Sequence, residues 1–150
     1  MNAGLAAFDS TIHTTHVWLN ELLGLLGWPD DDPHRAYLAL RAALHALRDR
    51  LSVDEAASLA AQLPMLVRGF YYEGWHPHGK PLKERHRDAF LAHVWADFRQ
   101  DPDVNPKQVA RAVFQLLAQH VTAGEIEKLK RCLPGEIRAL WPEGAHTVSV

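Results

Sequence analysis

Leu51-Ser52-Val53-Asp54-Glu55-Ala56-Ala57-Ser58-Leu59-Ala60-Ala61-Gln62-Leu63-Pro64 is answered 70 positions later by Val121-Thr122-Ala123-Gly124-Glu125-Ile126-Glu127-Lys128-Leu129-Lys130-Arg131-Cys132-Leu133-Pro134. The second residue of each stretch is a hydroxyl, Ser52 or Thr122, with a glutamate three positions on. A hydroxyl there accepts a first-turn amide while the glutamate reaches back, the capping box that starts a helix. Apolar residues follow at helical spacing: Ala56, Leu59 and Leu63 in one stretch, Ile126, Leu129 and Leu133 in the other. Both close on Leu-Pro. Proline has no amide and clashes with the preceding turn, so the helix breaks and a short new one is expected, at about 64–71 and 134–140. An aromatic residue (Tyr71, Trp141) and then Glu-Gly end each unit.

Working outward, residues 36–74 and 106–144 align without a gap over 39 positions, ten of them identical. About three identities would arise by chance at this Ala/Leu-rich composition. Two of the ten, Arg41/Arg111 and Arg68/Arg138, are arginines kept in both copies. A repeated structural task, such as bonding carbonyls at a helix end, is expected of them rather than acid–base chemistry. Ahead of each capped helix lies another with one apolar face: Tyr37, Leu40, Leu44, Leu47 and Leu51 in copy one, Ala110, Phe114, Leu117 and Val121 in copy two.

A leading helix is expected before each copy. Leu5, Phe8, Ile12, Leu19, Leu22, Leu23 and Leu26 share one face of the first; Phe90, Leu91, Val94, Trp95 and Phe98 share one face of the second. His16-Val17-Trp18 recurs as His93-Val94-Trp95, but the two triplets sit at different helical phases, so the match is read as coincidence. Pro/Gly-rich polar links separate the helices, and no β-alternating run of useful length occurs. The expected fold is therefore all-α: a helical bundle of two tandem, pseudo-twofold-related repeats of three to four helices. One compact domain over 1–150 is expected, with repeat one at about 5–75, repeat two at about 82–144 and a frayed tail at 145–150.

Over nearly the whole chain, about Phe8 to Pro142, the sequence resembles a bacterial family catalogued as domain of unknown function 2267. The resemblance is carried by Leu40-Arg41-Ala42-Ala43-Leu44-His45-Ala46-Leu47-Arg48-Asp49-Arg50-Leu51 and by Ala61-Gln62-Leu63-Pro64-Met65-Leu66-Val67-Arg68-Gly69-Phe70-Tyr71-Tyr72-Glu73-Gly74-Trp75. It implies a small bacterial all-helical domain, found alone or beside other modules. It implies no activity, cofactor or catalytic residue.

Composition narrows the function classes. Net charge is −2, which supplies no basic field for general nucleic-acid binding. The single cysteine, Cys132, can make neither an internal disulfide nor a cysteine-based metal site. Met1–Phe8 lacks a positive leader region and the run Leu22–Leu26 is too short to cross a bilayer, so a cytoplasmic location without membrane contact is expected.

Ten histidines invite a metal reading. His13 and His16 stand three apart on a helix, a spacing that suits one ion, and His76 and His78 lie in the inter-repeat link; a histidine metal site from these four is the alternative reading. Glu73-x-x-His76 resembles half of a bundle di-iron motif, but Glu143 has no histidine after it and the second half is missing. No nucleophile elbow, phosphate loop or dinucleotide fingerprint is present. Lys80, Lys83, Arg85 and Arg87 form a basic cluster in the link, read as a solvated segment or a contact for an acidic partner.

The densest feature is Phe70-Tyr71-Tyr72-Glu73-Gly74-Trp75. Rings at 70, 71 and 72 fan out over 200° of a helix, so one face cannot bury them all. These observations favour a non-enzymatic helical interaction or regulatory module without a cofactor. Tyr71, Tyr72, Trp75, His76 and His78 are the expected contacts for a protein partner or a second copy.

Overall fold

Helix follows helix where caps and prolines stand in the sequence. The computed structural model describes residues 5–28, 32–98 and 101–143. Its helices are α1 (Ala6–Leu26), α2 (Pro33–Arg48), α3 (Val53–Ala60), α4 (Met65–Tyr72), α5 (Arg87–Trp95), α6 (Pro106–His120), α7 (Ala123–Cys132) and α8 (Gly135–Arg138), with a 3-10 turn at Ala96–Phe98 after α5. No strand occurs among the described residues. The expected tail at 145–150 and the identity Gly74/Gly144 fall partly or wholly outside them.

The starts are built as the residue types require. Ser52 Oγ accepts the Glu55 amide at 3.1 Å, and Thr122 Oγ1 accepts the Glu125 amide at 3.3 Å. Asp32 caps α2 through the His34 amide and Asn105 caps α6 through those of Lys107 and Gln108, each with proline as the first helical residue. Pro64 and Pro134 stand just before α4 and α8 rather than inside them. Gly74, at φ +76°, turns the chain away after α4, a conformation that costs glycine nothing.

The duplicated arginines divide. Arg68 donates to the Ala60 and Leu63 carbonyls, both at 2.9 Å, and Arg138 donates to the Lys130 carbonyl at 3.4 Å. Both therefore bond carbonyls at the end of the preceding helix, α3 or α7. Arg41 instead pairs with carboxylates, Glu73 at 3.1 Å and Asp97 at 3.8 Å, so a shared carbonyl-bonding task does not extend to it.

A single buried cluster runs through both halves. α2 and α6 pack together at its centre; α1 lies on both of them, and so does α5. The predicted stripes Leu40, Leu44, Leu47 and Leu51 and Ala110, Phe114, Leu117 and Val121 are buried, with Tyr37 half-buried at the edge. α3 meets α7 on the far side. There Lys128 Nζ donates to Ser58 Oγ at 3.0 Å, and Gln62 exchanges two hydrogen bonds with Thr122.

The leading helices depart from expectation in part. Leu19, Leu22, Leu23 and Leu26 are buried, but Leu5, Phe8 and Ile12 on the same stripe are exposed, because α1 continues past the elements that cover its later turns. In α5 and its 3-10 turn, Phe90, Val94 and Phe98 are buried while Trp95 is exposed. Trp18, by contrast, is buried and stacks on His120 at 4.5 Å. The two His-Val-Trp triplets thus have unlike surroundings, as their phases require.

Candidate functional site

α2 presents a polar stripe, Arg41, His45 and Arg48, at spacings of four and three, and α4 ends against it. Arg48 is buried and donates to the Tyr71 carbonyl at 2.6 Å and the Glu73 carbonyl at 2.8 Å; its Nε donates to Asp49 at 3.0 Å. His45 Nε2 lies 2.6 Å from the Phe70 carbonyl and must carry its proton to donate there. Arg41 holds the Glu73 carboxylate. His45 and Arg48 thus satisfy carbonyls at the end of α4 while Arg41 holds the Glu73 side chain, and together the three fix where its last residues point. Burial lowers the His45 pKa, and the neighbouring Arg48 and Arg41 charges lower it further, against the raising effect of the Phe70 bond. Copy two carries Arg111, Gln115 and Ala118 at the matching positions, so this anchor belongs to the first half.

The anchored helix and α1 form the walls of a groove of about 630 Å³. Ile12, Thr15, His16 and Leu19 line it from α1, Leu66, Gly69, Phe70 and Tyr72 from α4, and Tyr37 from α2, with Glu73 at its edge. α4 is joined to α1 by the Leu66 amide, which donates to Thr11 Oγ1 at 2.9 Å. Phe70 meets Tyr37 edge-on at 5.2 Å. Gly69 is exposed, and a Cβ added there would meet nothing within 4 Å. The lining is almost wholly apolar and aromatic, with polar groups at its margins, the composition of a binding cleft.

The groove continues into the open apolar side chains. Leu5, Phe8 and Ile12 on α1 and Met65 and Leu66 at the start of α4 are 55%, 49%, 45%, 50% and 43% exposed. Ile12 and Leu66 line the cleft itself, Leu5 and Phe8 precede Ile12 along its stripe and Met65 precedes Leu66, and half-open apolar residues grouped in this way are the kind of patch that marks interaction sites.

The expected contact residues are spread unevenly. Tyr71 is fully buried, its hydroxyl donating to the Ala56 carbonyl at 2.8 Å, and burial pushes its pKa far above the ordinary phenol range. It is a core residue and cannot touch a partner, which corrects its place among the contacts. Trp141, its counterpart in copy two, is likewise buried, stacked on Phe114 at 4.3 Å. Tyr72 is half-buried and lines the groove; Trp75 is half-buried with its ring 5.4 Å from that of Tyr72 and its indole N–H unpaired among the described residues. His76 and His78 are exposed in the link. His13 and His16 are exposed on α1, and only His16 lines the groove. Among the described residues no three His, Cys, Asp or Glu side chains converge as metal ligands.

The link after Gly74 is tied back to the body. The Leu82 amide donates to the Asp49 carbonyl at 2.8 Å, and Glu84 accepts from Arg50 at 2.8 Å and lies 3.1 Å from His93. Arg50 is itself buried, with its guanidinium over the Phe90 ring. At the start of α5 the Glu136 carboxylate accepts the Arg87 amide at 2.9 Å and faces His86, and these bonds hold its pKa below the ordinary carboxylate range. Lys83, Arg85 and Arg87 remain exposed, and Lys80 is half-buried.

Sequence reasoning did not single out Phe8, Ile12, Leu66 or Gly69. A signal for the first two was present: the α1 stripe runs the length of a 21-residue helix, about 31 Å, whereas the 16-residue α2 beside it spans about 24 Å. The position of Leu66 beside Ile12 had no signal, because it depends on how α4 returns to α1.

No helix among the described residues is long and apolar enough to cross a membrane. No curated protein matches the chain. The family model described as an uncharacterized conserved protein, DUF2267, matches residues 15–140, and the chain belongs to that family.

Proposed function

For this member of the DUF2267 family we propose the role of a non-enzymatic helical interaction module, acting in the cytoplasm, whose working surface is the α1–α4 groove and the apolar stripe beside it. The observation that carries this reading is the open apolar row Leu5, Phe8, Ile12, Met65 and Leu66 adjoining a 630 Å³ cleft. Fully burying a large apolar side chain is worth roughly 1.5–3 kcal/mol, so leaving five half-exposed forgoes several kcal/mol that a partner can supply. Tyr72 extends this surface from the groove toward Trp75, and His76 and His78 border it in sequence.

We read the architecture as two fused, pseudo-twofold-related repeats forming one domain. Reciprocal packing supports it: the leading helix of each half lies on the central helix of both halves. So does the contact between Ser58 and Lys128, positions 70 apart that are equivalent in the alignment. A position meets its own equivalent only near a twofold axis.

Co-precipitation from native cells with three baits tests the proposed surface: wild type, Ile12→Glu and Lys83→Glu. Proteins kept by wild type and by Lys83→Glu are expected to be lost from Ile12→Glu. Retention that ignores Ile12→Glu, or fails only with Lys83→Glu, refutes the groove and points to the basic link.

A further inference from the structure

We propose that the occupant of this face is a second copy of the chain, docked by an antiparallel pairing of the two α1 helices in which each copy fills the other's groove. The inference rests on reading the α1–α4 face as the interaction surface, and goes beyond it by naming what binds.

The face is complementary to itself. A twofold interface buries the same patch on both subunits, so that patch must contain both a projection and a recess. Here the first turns of α1 project with Leu5 and Phe8, and the recess lies further along the same helix, between Ile12, His16 and Leu66. Phe8, Ile12, His16 and Leu19 fall within about 80° of one another around α1, with Leu5 at its N-cap just before them, so a single approach engages them all. With the axis near residue 10, antiparallel α1 helices set Phe8 against Ile12 and Leu66 of the other copy. The same register brings Leu5 to the mouth of the groove beside Thr15 and His16.

The amount of apolar surface also fits. Half-exposed side chains of this size offer roughly 100 Å² each, and the five together about 400–500 Å². A standard interface buries about 800 Å² on each partner, of which some 55–65% is apolar. The row therefore supplies the apolar share of one such face. Lipid is a poorer occupant, because surface-seeking helices carry Lys and Arg on the polar face whereas α1 (Ala6–Leu26) has neither.

Sedimentation velocity of the full chain from low micromolar to sub-millimolar concentration is the test, with Phe8→Asp and Ile12→Asp beside it and Lys83→Glu as control. We expect a concentration-dependent dimer in wild type and control. Each substitution acts twice in a twofold contact, so a loss of about tenfold per site becomes about 100-fold in the dissociation constant. The register is read separately by mixing Phe8→Cys and Ile12→Cys chains, both in a Cys132→Ser background. Oxidation is expected to trap the mixed dimer in preference to either homodimer, and this holds the proposal to account even if an aspartate variant does not fold. A monomer throughout, a dimer indifferent to Phe8→Asp, or failure of the 8–12 cross-link overturns the proposal. A monomer that binds anionic vesicles overturns it in favour of a lipid surface. A monomer whose co-precipitated proteins still depend on Ile12 overturns the second copy but leaves the groove as the interaction surface.

Discussion

Arg48→Met is the substitution that most directly tests how the groove is held. The methionine keeps the apolar stem and removes the guanidinium. Lost with it are the bonds to the Tyr71 carbonyl at 2.6 Å and the Glu73 carbonyl at 2.8 Å, and the 3.0 Å pair with Asp49. Hydrogen bonds to a charged donor contribute about 1.5–3 kcal/mol each, and the side chain is only 5% exposed, so solvent screens little of this. Asp49 is 20% exposed and can recover water, which offsets part of the loss. A net cost of about 3–4 kcal/mol follows, near the range seen when one partner of a buried pair is removed. In urea, with a slope of about 2 kcal/mol per molar, the midpoint should fall by about 1.5–2 M. Arg48→Lys keeps the charge but cannot reach all three acceptors, and should lie between the two. Hydrogen exchange should quicken first at 71–75, where the end of α4 is released. A cost below about 1 kcal/mol, or Arg48→Lys equal to wild type, would refute the claim that Arg48 anchors this helix.

The duplicated arginines should differ in weight: Arg68→Ala, which loses two 2.9 Å bonds, is expected to cost about 1–2 kcal/mol in urea denaturation, and Arg138→Ala, with one 3.4 Å bond, about 0.5 kcal/mol or less. Equal costs would mean that the two carbonyl contacts do not set the energetics. Gly69→Ala should stabilise by about 0.5–1 kcal/mol, raising the melting temperature by about 1–4 °C, since position 69 is inside α4 and its Cβ meets nothing; a fall in melting temperature would show that the groove wall is closed there. The His45 pKa lies below its ordinary value near 6.5, so the unfolded chain takes up that proton first. Its stabilising contribution is present above 6.5 and is lost as pH falls from there toward the lower folded value. His45→Gln, the residue type of the matching position 115, should flatten the stability profile between pH 7 and 5.5, and an unchanged slope would remove His45 as its source.

Much of the candidate surface was written in residue types but not in their meaning. Within the aromatic run at 70–75, Tyr71 is core and Tyr72 lines the groove, a division made by the orientation of a single helix. Arg48 had no sequence signature as an anchor, because the carbonyls it satisfies lie 23 and 25 residues away. The stripe on α1 was legible as a stripe; that its first third goes uncovered follows from the lengths and positions of the helices around it.

The sequence by itself determined the helices, the caps at Ser52 and Thr122, the breaks at Pro64 and Pro134, and the buried stripes of α2, α3, α6 and α7. These depend on contacts within one or two turns, where spacing along the chain and spacing in space are nearly the same. Tertiary structure alone decided that α4 folds back to α1 and that Arg48 and His45 close its end. It also decided which apolar residues stay exposed. Burial of a side chain depends on which other elements reach it, and no local spacing records where a helix seventy or a hundred residues distant will end.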